Sequence, residues 1–312
     1  MAEKNRVLVF RNMMLDRLKP AAGDLFEVVG PRDNEDKMAW LKEHGRGIEA
    51  TICIGIDTWD KAVLDSLPDL KFMEVLGAGM DGMDLEEIAR RGIHIENSGE
   101  LHAGEVADFA MTMMLAARRD LIQSQQFLLD DKWKGGWCPP SRSLVGAKVG
   151  IAGLGHIGLA IAKRCAPFIP DIAWWGPRDK PGVPWPRRDS LVELAREVDI
   201  LFVAVFAHPK MTRHLIDKEI IEALGADGLL VNVSRGFVVD ELELIAALKD
   251  GRLGQAALDV FDPEPTDPKR WEGVPNVLLT PHIAGATRGS NAQLERHTIA
   301  RVCEFLGVKE NA

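Results

Sequence analysis

The 312-residue chain reads as an α/β protein made of two doubly wound domains in succession. Three observations point there. Short apolar runs alternate with helical patterns from Val7 to about Asn97; the alternation restarts at Ala147; and the second set opens on a glycine-rich turn, Gly153-Leu154-Gly155-His156-Ile157-Gly158.

In the first set, residues 6–10, 51–56, 70–76 and 93–96 read as strands, with helices over 38–44, 61–67 and 85–91. In the second, strands are expected over 147–152, 172–175, 200–204, 229–232, 255–260 and 277–280, with helical segments between most of them. Residues 105–128 carry Val106, Phe109, Met113, Leu121 and Leu128 at helical spacing, which predicts one helix crossing from the first domain to the second. Its apolar face suits a core or a subunit interface. Loops rich in Pro and Trp fall at 133–140 and 177–186, and the tail predicts a last helix over 291–306 that returns to the first domain. The expected domains are therefore 1–98 completed by 286–312, and 99–285.

Composition narrows the function. A formal net charge of -9 argues against a nucleic-acid or anionic-membrane surface, which needs clustered Lys and Arg. The four cysteines, Cys53, Cys138, Cys165 and Cys303, lie far apart, so neither a metal site nor a disulfide framework is expected. Residues 1–6 lead straight into a strand without an apolar leader, and no window suits a bilayer span, so the expected compartment is the cytoplasm. The chain has no tyrosine, which excludes the tyrosine acid of short-chain dehydrogenases and leaves histidine as the proton donor for neutral pH.

The glycine turn carries the first chemical assignment. Between a buried strand and a helix, Gly153, Gly155 and Gly158 let the backbone turn tightly and approach a pyrophosphate, while the helix start at His156 and Ile157 aims N–H groups at its charge. In this arrangement the next strand usually ends on an acid that holds the ribose hydroxyls. Here that end reads Trp174-Trp175-Gly176-Pro177-Arg178, with no carboxylate at 176. Gly176 and Pro177 leave room for a 2′-phosphate, and Arg178, helped by Lys180, Arg187 and Arg188, offers it charge. NADP(H) is therefore the preferred cofactor, with NAD(H) possible; Asp179 keeps open the reading of Arg178 as a solvated loop cation.

Three later motifs arrive in a fixed order: Val231-Asn232-Val233-Ser234-Arg235-Gly236, Ala257-Leu258-Asp259-Val260-Phe261-Asp262-Pro263-Glu264-Pro265, and Thr280-Pro281-His282-Ile283-Ala284-Gly285. With Leu76-Gly77-Ala78-Gly79-Met80-Asp81 and Asn97-Ser98 near the front, the series resembles the D-isomer-specific 2-hydroxyacid dehydrogenases over nearly the whole chain. Within that family it looks most like the NADPH-dependent glyoxylate, hydroxypyruvate and hydroxyphenylpyruvate reductases. The resemblance implies a Rossmann dinucleotide-binding domain, a flavodoxin-like substrate domain with a cleft between them, a small 2-keto or 2-hydroxy acid as substrate, and a homodimer.

The residues suit those roles. Adding hydride to a 2-keto acid puts negative charge on the carbonyl oxygen, so the site needs a proton donor aimed at it. His282 is that donor, and a carboxylate on its other ring nitrogen would orient it. Glu264 is the candidate. Residue chemistry alone leaves equally open a Glu264 in a solvated loop and a His282 that caps a strand; the resemblance joins the two. Arg235 can grip the substrate carboxylate and keto oxygen together, or close a structural ion pair. Asp259 is similar in position to an aspartate that meets the nicotinamide carboxamide, though a strand-end Asp also caps turns. Leu76, Gly77, Ala78 and Gly79 offer backbone N–H groups to the substrate carboxylate, or form a plain tight turn. Val205, Phe206 and Ala207 are expected as cofactor-pocket wall, Thr212, Val233 and Ser234 as further cofactor contacts. His102 is expected to be structural and His208 has no role. Trp133 and Trp137 read as lid, subunit-contact or core residues. Formate- or phosphite-type dehydrogenation and a dinucleotide-sensing corepressor remain as alternatives; formate enzymes place glutamine, not a carboxylate, beside the histidine.

Overall fold

The computed structural model describes residues 4–309. The chain divides into two compact units, Met1–His102 with Thr287–Ala312, and Ala103–Ala286. Each is a parallel sheet with helices on both faces, the fold class expected from the sequence.

The first unit runs β1 (Arg6–Leu8), α1 (Asn12–Ala22), β2 (Glu27–Val29), α2 (Lys37–His44), β3 (Ile48–Ile54), α3 (Lys61–Asp65), β4 (Phe72–Leu76), α4 (Leu85–Arg90) and β5 (His94–Asn97). Its strands lie in the order β2-β1-β3-β4-β5, all parallel. Side chains alternate between two cores. Val7, Ile52 and Phe72 meet Leu15 and Leu18 of α1 and Ile299, Val302 and Cys303 of the C-terminal helix; Leu8, Met73 and Val75 meet Leu41, Leu64 and Ile88. Asp36, Asp60 and Asp84 open α2, α3 and α4, each accepting the N–H three residues on.

The second unit continues with α5 (Gly99–Arg118), whose first residues belong to the first unit, then α6 (Leu121–Leu129), β6 (Val149–Ala152), α7 (His156–Cys165), β7 (Ile172–Trp175), α8 (Leu191–Glu197), β8 (Ile200–Val203), α9 (Lys218–Leu224), β9 (Leu229–Asn232), α10 (Glu241–Asp250), β10 (Gln255–Leu258) and β11 (Val277–Leu279). The six parallel strands lie in the order β11-β10-β9-β8-β6-β7. One face packs on α5 and α7, the other on α8, α9 and α10. The C-terminal helix, α11 (Arg288–Leu306), closes the first unit.

Two expectations change. The single helix over 105–128 breaks after Arg118, where Asp120 takes φ 48°. The buried Gln255 side chain causes the break: its Nε2 donates to the Ala117 carbonyl at 2.7 Å and to Asp120 Oδ1 at 2.9 Å, ending α5 from outside. Val106 and Met113 are core, but Leu121 and Leu128 beyond the break are exposed. The second change is the filling of residues 11–37, for which no element was expected, by α1 and β2. Pro20 sits near the end of α1, where Met14, Leu15, Leu18 and Ala22 bury one face and hold the helix. Among the described residues no helix is long and apolar enough to cross a membrane.

Glu74 of β4 is 1% exposed, and neither carboxyl oxygen meets a hydrogen-bond partner among the described residues. It lies in register with Glu96 of β5, which pairs with Arg301. Burial, with the Glu96 charge adding to it and Arg301 opposing, pushes the Glu74 carboxyl from 4.5 up to about 7. The folded state thus holds this proton more tightly than the unfolded chain. Stability from it is full below pH 4.5 and is lost as pH rises through about 7. Glu74→Gln should flatten the fall in melting temperature across that window and stabilise the protein at pH 8 by about 1–3 kcal/mol. A thermal-melt series at pH 5 to 8 checks this; identical slopes for the two proteins would contradict it.

Candidate active site

The glycine turn between β6 and α7 is built by close approach. A Cβ on Gly158 would lie 2.0 Å from the Gly153 carbonyl oxygen, and one on Gly153, at φ 92°, would lie 2.6 Å from the Val205 Cα. Gly155 differs: a Cβ there would meet nothing within 4 Å. It is also the N-cap of α7, a ten-residue helix, and provides no side-chain cap. Packed glycines behind and an open one in front make a cradle that fits a dinucleotide pyrophosphate.

Gly153 rests on Ala204 and Val205, so the exit of β8 lies against the glycine turn. Val205 and Ala207 are half-buried there and Phe206 is exposed. The Ser234 hydroxyl donates to the Val205 carbonyl at 2.8 Å, and Val233 and Ser234 are buried, so these two build the wall from behind. Thr212, expected as a cofactor contact, closes its own turn: its hydroxyl accepts the His208 N–H at 2.8 Å and donates to the His208 carbonyl at 3.1 Å.

At the end of β7, Gly176 is buried while Pro177 and Arg178 are exposed. The side chains of Arg178 and Lys180 make no hydrogen bond or ion pair among the described residues. The two other cations expected to help are engaged elsewhere. Arg187 donates to the Gly176 carbonyl from Nε at 3.1 Å and from Nη2 at 2.8 Å, and Arg188 pairs with Glu197 at 2.6 Å.

The three residues expected to be catalytic come from three strand ends. After β9, Asn232 clamps the loop: its Oδ1 accepts the Ser234 N–H and its Nδ2 donates to the Arg235 carbonyl, both at 3.0 Å. Arg235 follows, half-buried, with Nη1 donating to the Ser234 carbonyl at 2.8 Å. Gly236 then presses on the loop after β10; a Cβ there would lie 1.9 Å from the Phe261 carbonyl carbon. That contact brings the Arg235 loop against the segment carrying Glu264. After β11 comes His282, whose Nδ1 lies 2.7 Å from Glu264 Oε2. The other oxygen, Oε1, accepts the Phe261 N–H at 2.9 Å.

Burial opposes ionisation of Glu264, but the hydrogen bonds from His282 and the Phe261 N–H, with the charges of His282 and Arg235, bring its carboxyl below the usual value. An ionised carboxylate only accepts, so Nδ1 of His282 must donate to it, which leaves Nε2 to face a substrate. The eighteen-residue separation of the two side chains is thus closed by the fold.

Asp259 leaves the end of β10 and is tied into the turn after β11. It is 1% exposed, and both its oxygens are engaged: Oδ1 accepts the Thr280 hydroxyl at 2.6 Å and the Ile283 N–H at 2.9 Å, and Oδ2 accepts the Ala284 N–H at 2.8 Å. Its carbonyl takes the His282 N–H at 2.8 Å. Asp259 therefore holds the turn in which His282 sits at φ 53°.

In the first unit, Leu76-Gly77-Ala78-Gly79 leaves the end of β4. Gly77 takes φ 93° and its N–H reaches the Ser98 hydroxyl at 3.3 Å. The loop rests on Gly55, whose Cβ would lie 1.8 Å from the Gly79 carbonyl oxygen. The N–H groups of Ala78 and Gly79 meet no acceptor among the described residues. His102 is bonded through Nδ1 to the Ser290 hydroxyl at 2.7 Å, linking α5 to α11. Trp133 and Trp137 are exposed and so are not core residues. Sequence reasoning gave Asn232 no part of its own; its signal was a polar side chain closing a buried strand two residues before a serine.

Comparison with known proteins agrees with this geometry. Residues 111–284 match the model of the NAD-binding domain of D-isomer specific 2-hydroxyacid dehydrogenases. The chain is 38% identical over 252 residues to a glyoxylate/hydroxypyruvate reductase A of Arabidopsis thaliana, covering 81% of this chain and 80% of that protein. It is 39% identical over 228 residues to the hydroxyphenylpyruvate reductase of Plectranthus scutellarioides, covering 73% and 72%. Among solved structures, an NADPH-dependent glyoxylate/hydroxypyruvate reductase from Sinorhizobium meliloti, in complex with NADP and malonate, matches with TM-score 0.88 and 32% identity over 97% of this chain and 94% of that one. A 2-hydroxyacid dehydrogenase from Ketogulonicigenium vulgare Y25 matches with TM-score 0.86 and 35% identity over 99% and 98%. The cradle, the His282–Glu264 pair and these matches together place the chain in the D-isomer-specific 2-hydroxyacid dehydrogenase family of enzymes.

Proposed function

We propose that this enzyme reduces a small 2-keto acid of the glyoxylate, hydroxypyruvate or aryl-pyruvate type to its D-hydroxy acid, with NADPH preferred to NADH. The observation that carries the reading is the 2.7 Å contact of His282 with Glu264 on loops that also hold Arg235. When bound, the reduced nicotinamide supplies a hydride to the keto carbon. His282 gives a proton from Nε2 to the carbonyl oxygen as charge develops there, and Glu264 keeps the ring in the orientation that makes this possible. Arg235 grips the substrate carboxylate and polarises the keto group. The Ala78 and Gly79 N–H groups are assigned to substrate, as the family resemblance implies, and the glycine cradle to the pyrophosphate. Three relatives named as reductases of glyoxylate/hydroxypyruvate, hydroxyphenylpyruvate and 2-ketogluconate support the substrate class.

Preference for NADPH rests on the end of β7. Gly176 provides no acid to hold a ribose 2′-hydroxyl, and Arg178 is exposed and uncommitted. The NADP complex of the Sinorhizobium meliloti enzyme supports this reading. A homodimer belongs to it as well. The segment from α6 to Val145 exposes Leu121, Leu129, Trp133, Trp137 and Val145, an apolar stretch too large for a free surface.

His282→Ala should lower kcat by about 10²–10⁴-fold while leaving NADPH affinity within about twofold. Initial rates with fluorescence titration check it, and an active variant would remove His282 from the chemistry. Arg178→Ala should weaken NADPH by about tenfold and NADH hardly at all; equal losses would separate Arg178 from the 2′-phosphate. Replacing both Leu129 and Trp133 by Glu should bring the sedimenting mass to that of one chain, 34.4 kDa, in place of twice that value. A wild-type protein already at 34.4 kDa would contradict the dimer.

A further inference from the structure

The loop that leaves β7 is exposed over residues 177–182 and then turns back. It returns at Trp185–Arg188 and pairs with the strand it left: Trp174 donates its N–H to the Pro186 carbonyl at 3.0 Å and accepts the Arg188 N–H at 2.8 Å. The Trp174 indole N–H reaches the Trp185 carbonyl at 3.1 Å. This pairing places Arg187 under the turn at Gly176. Two of its N–H groups converge on the Gly176 carbonyl, its Nη1 lies 3.1 Å from Asp179 Oδ1, and its guanidinium sits 6.0 Å from the Trp174 ring centroid.

We propose that Arg187 is a positioning residue for cofactor choice, which fixes the turn at Gly176 and holds the Asp179 carboxylate away from Arg178, leaving Arg178 free for a ribose 2′-phosphate. The proposal rests on the NADPH reading above. Asp179 is the neighbour of Arg178 in sequence and is largely exposed. Unheld, it would pair with Arg178 and repel a phosphate; held by Arg187, it does neither. A fork of two N–H groups on one carbonyl needs a planar guanidinium, which lysine lacks. Arg187 thus acts through the backbone and through Asp179, without itself touching the phosphate.

The test is fluorescence titration of NADPH and of NADH with the purified full-length protein and its variants, with a thermal melt for each. Arg187→Gln should weaken NADPH by about three- to tenfold and leave NADH within about twofold. Adding Asp179→Asn to that variant should recover most of the NADPH loss, which a purely structural role for Arg187 does not predict. An unchanged ratio of NADPH to NADH affinity in Arg187→Gln would overturn the proposal, as would a loss that Asp179→Asn does not recover, since Arg187 would then be the phosphate's own ligand. Should Arg187→Gln fail to fold, Asp179→Asn alone decides: unchanged or tighter NADPH binding supports the proposal, and weaker binding overturns it. A wild-type protein that binds both nucleotides equally removes the NADPH reading itself and the proposal with it. A wild-type preference for NADPH that survives Arg187→Gln removes the proposal alone.

Discussion

Asp259 accepts the Thr280 hydroxyl and the Ile283 and Ala284 N–H groups with its carboxylate, and the His282 N–H with its carbonyl, from a position that is 1% exposed. Those bonds close the turn after β11 around a histidine held at φ 53°, a conformation that non-glycine residues adopt only when their surroundings require it. Everything downstream depends on that turn. It brings His282 to 2.7 Å from Glu264, and Glu264, tied by its other oxygen to the Phe261 N–H, cannot follow the ring if it moves. His282, the proposed acid, is therefore oriented from two sides, by a buried aspartate behind its backbone and a glutamate on its ring.

The same economy of parts recurs along the ends of the second sheet. Gly153 packs on Ala204 and Val205, Ser234 donates to the Val205 carbonyl, and Gly236 packs on Phe261, so the ends of β6, β8, β9 and β10 are stitched to one another by backbone contact. Parallel strands buried on both faces can present chemistry only at their ends, and here each carries one part of the proposed site: the glycine turn, the Val205 segment, Arg235 and Glu264. Gly153, Gly158 and Gly236 are closely packed while Gly155 faces open space, the condition for a large anion to approach the backbone.

Much of this was legible in the sequence, because glycine, proline and strand-end polar residues carry conformational information that survives without coordinates. The strands at Ile172–Trp175 and Leu229–Asn232 have the bounds expected from their apolar runs, and the glycine turn sits between strand and helix. What escaped were features made by tertiary contact. Gln255 ends α5 from 135 residues away at Asp120, and no local pattern announces it. The helix α1, with Pro20 inside it, takes its stability from its buried face rather than from helix propensity. The bonds by which Asp259 holds the His282 turn and Thr212 closes the turn at His208 were likewise not announced, since they are made by neighbours that sequence spacing does not reveal.

The most direct test of the account is the initial rate of NADPH and NADH oxidation by the wild-type protein with glyoxylate, hydroxypyruvate, pyruvate and hydroxyphenylpyruvate, with the configuration of the product determined. The account predicts turnover of at least one of these acids, faster with NADPH, and a D-hydroxy acid as product. Measurable dinucleotide binding without turnover of any 2-keto acid, or an L-product, would contradict it.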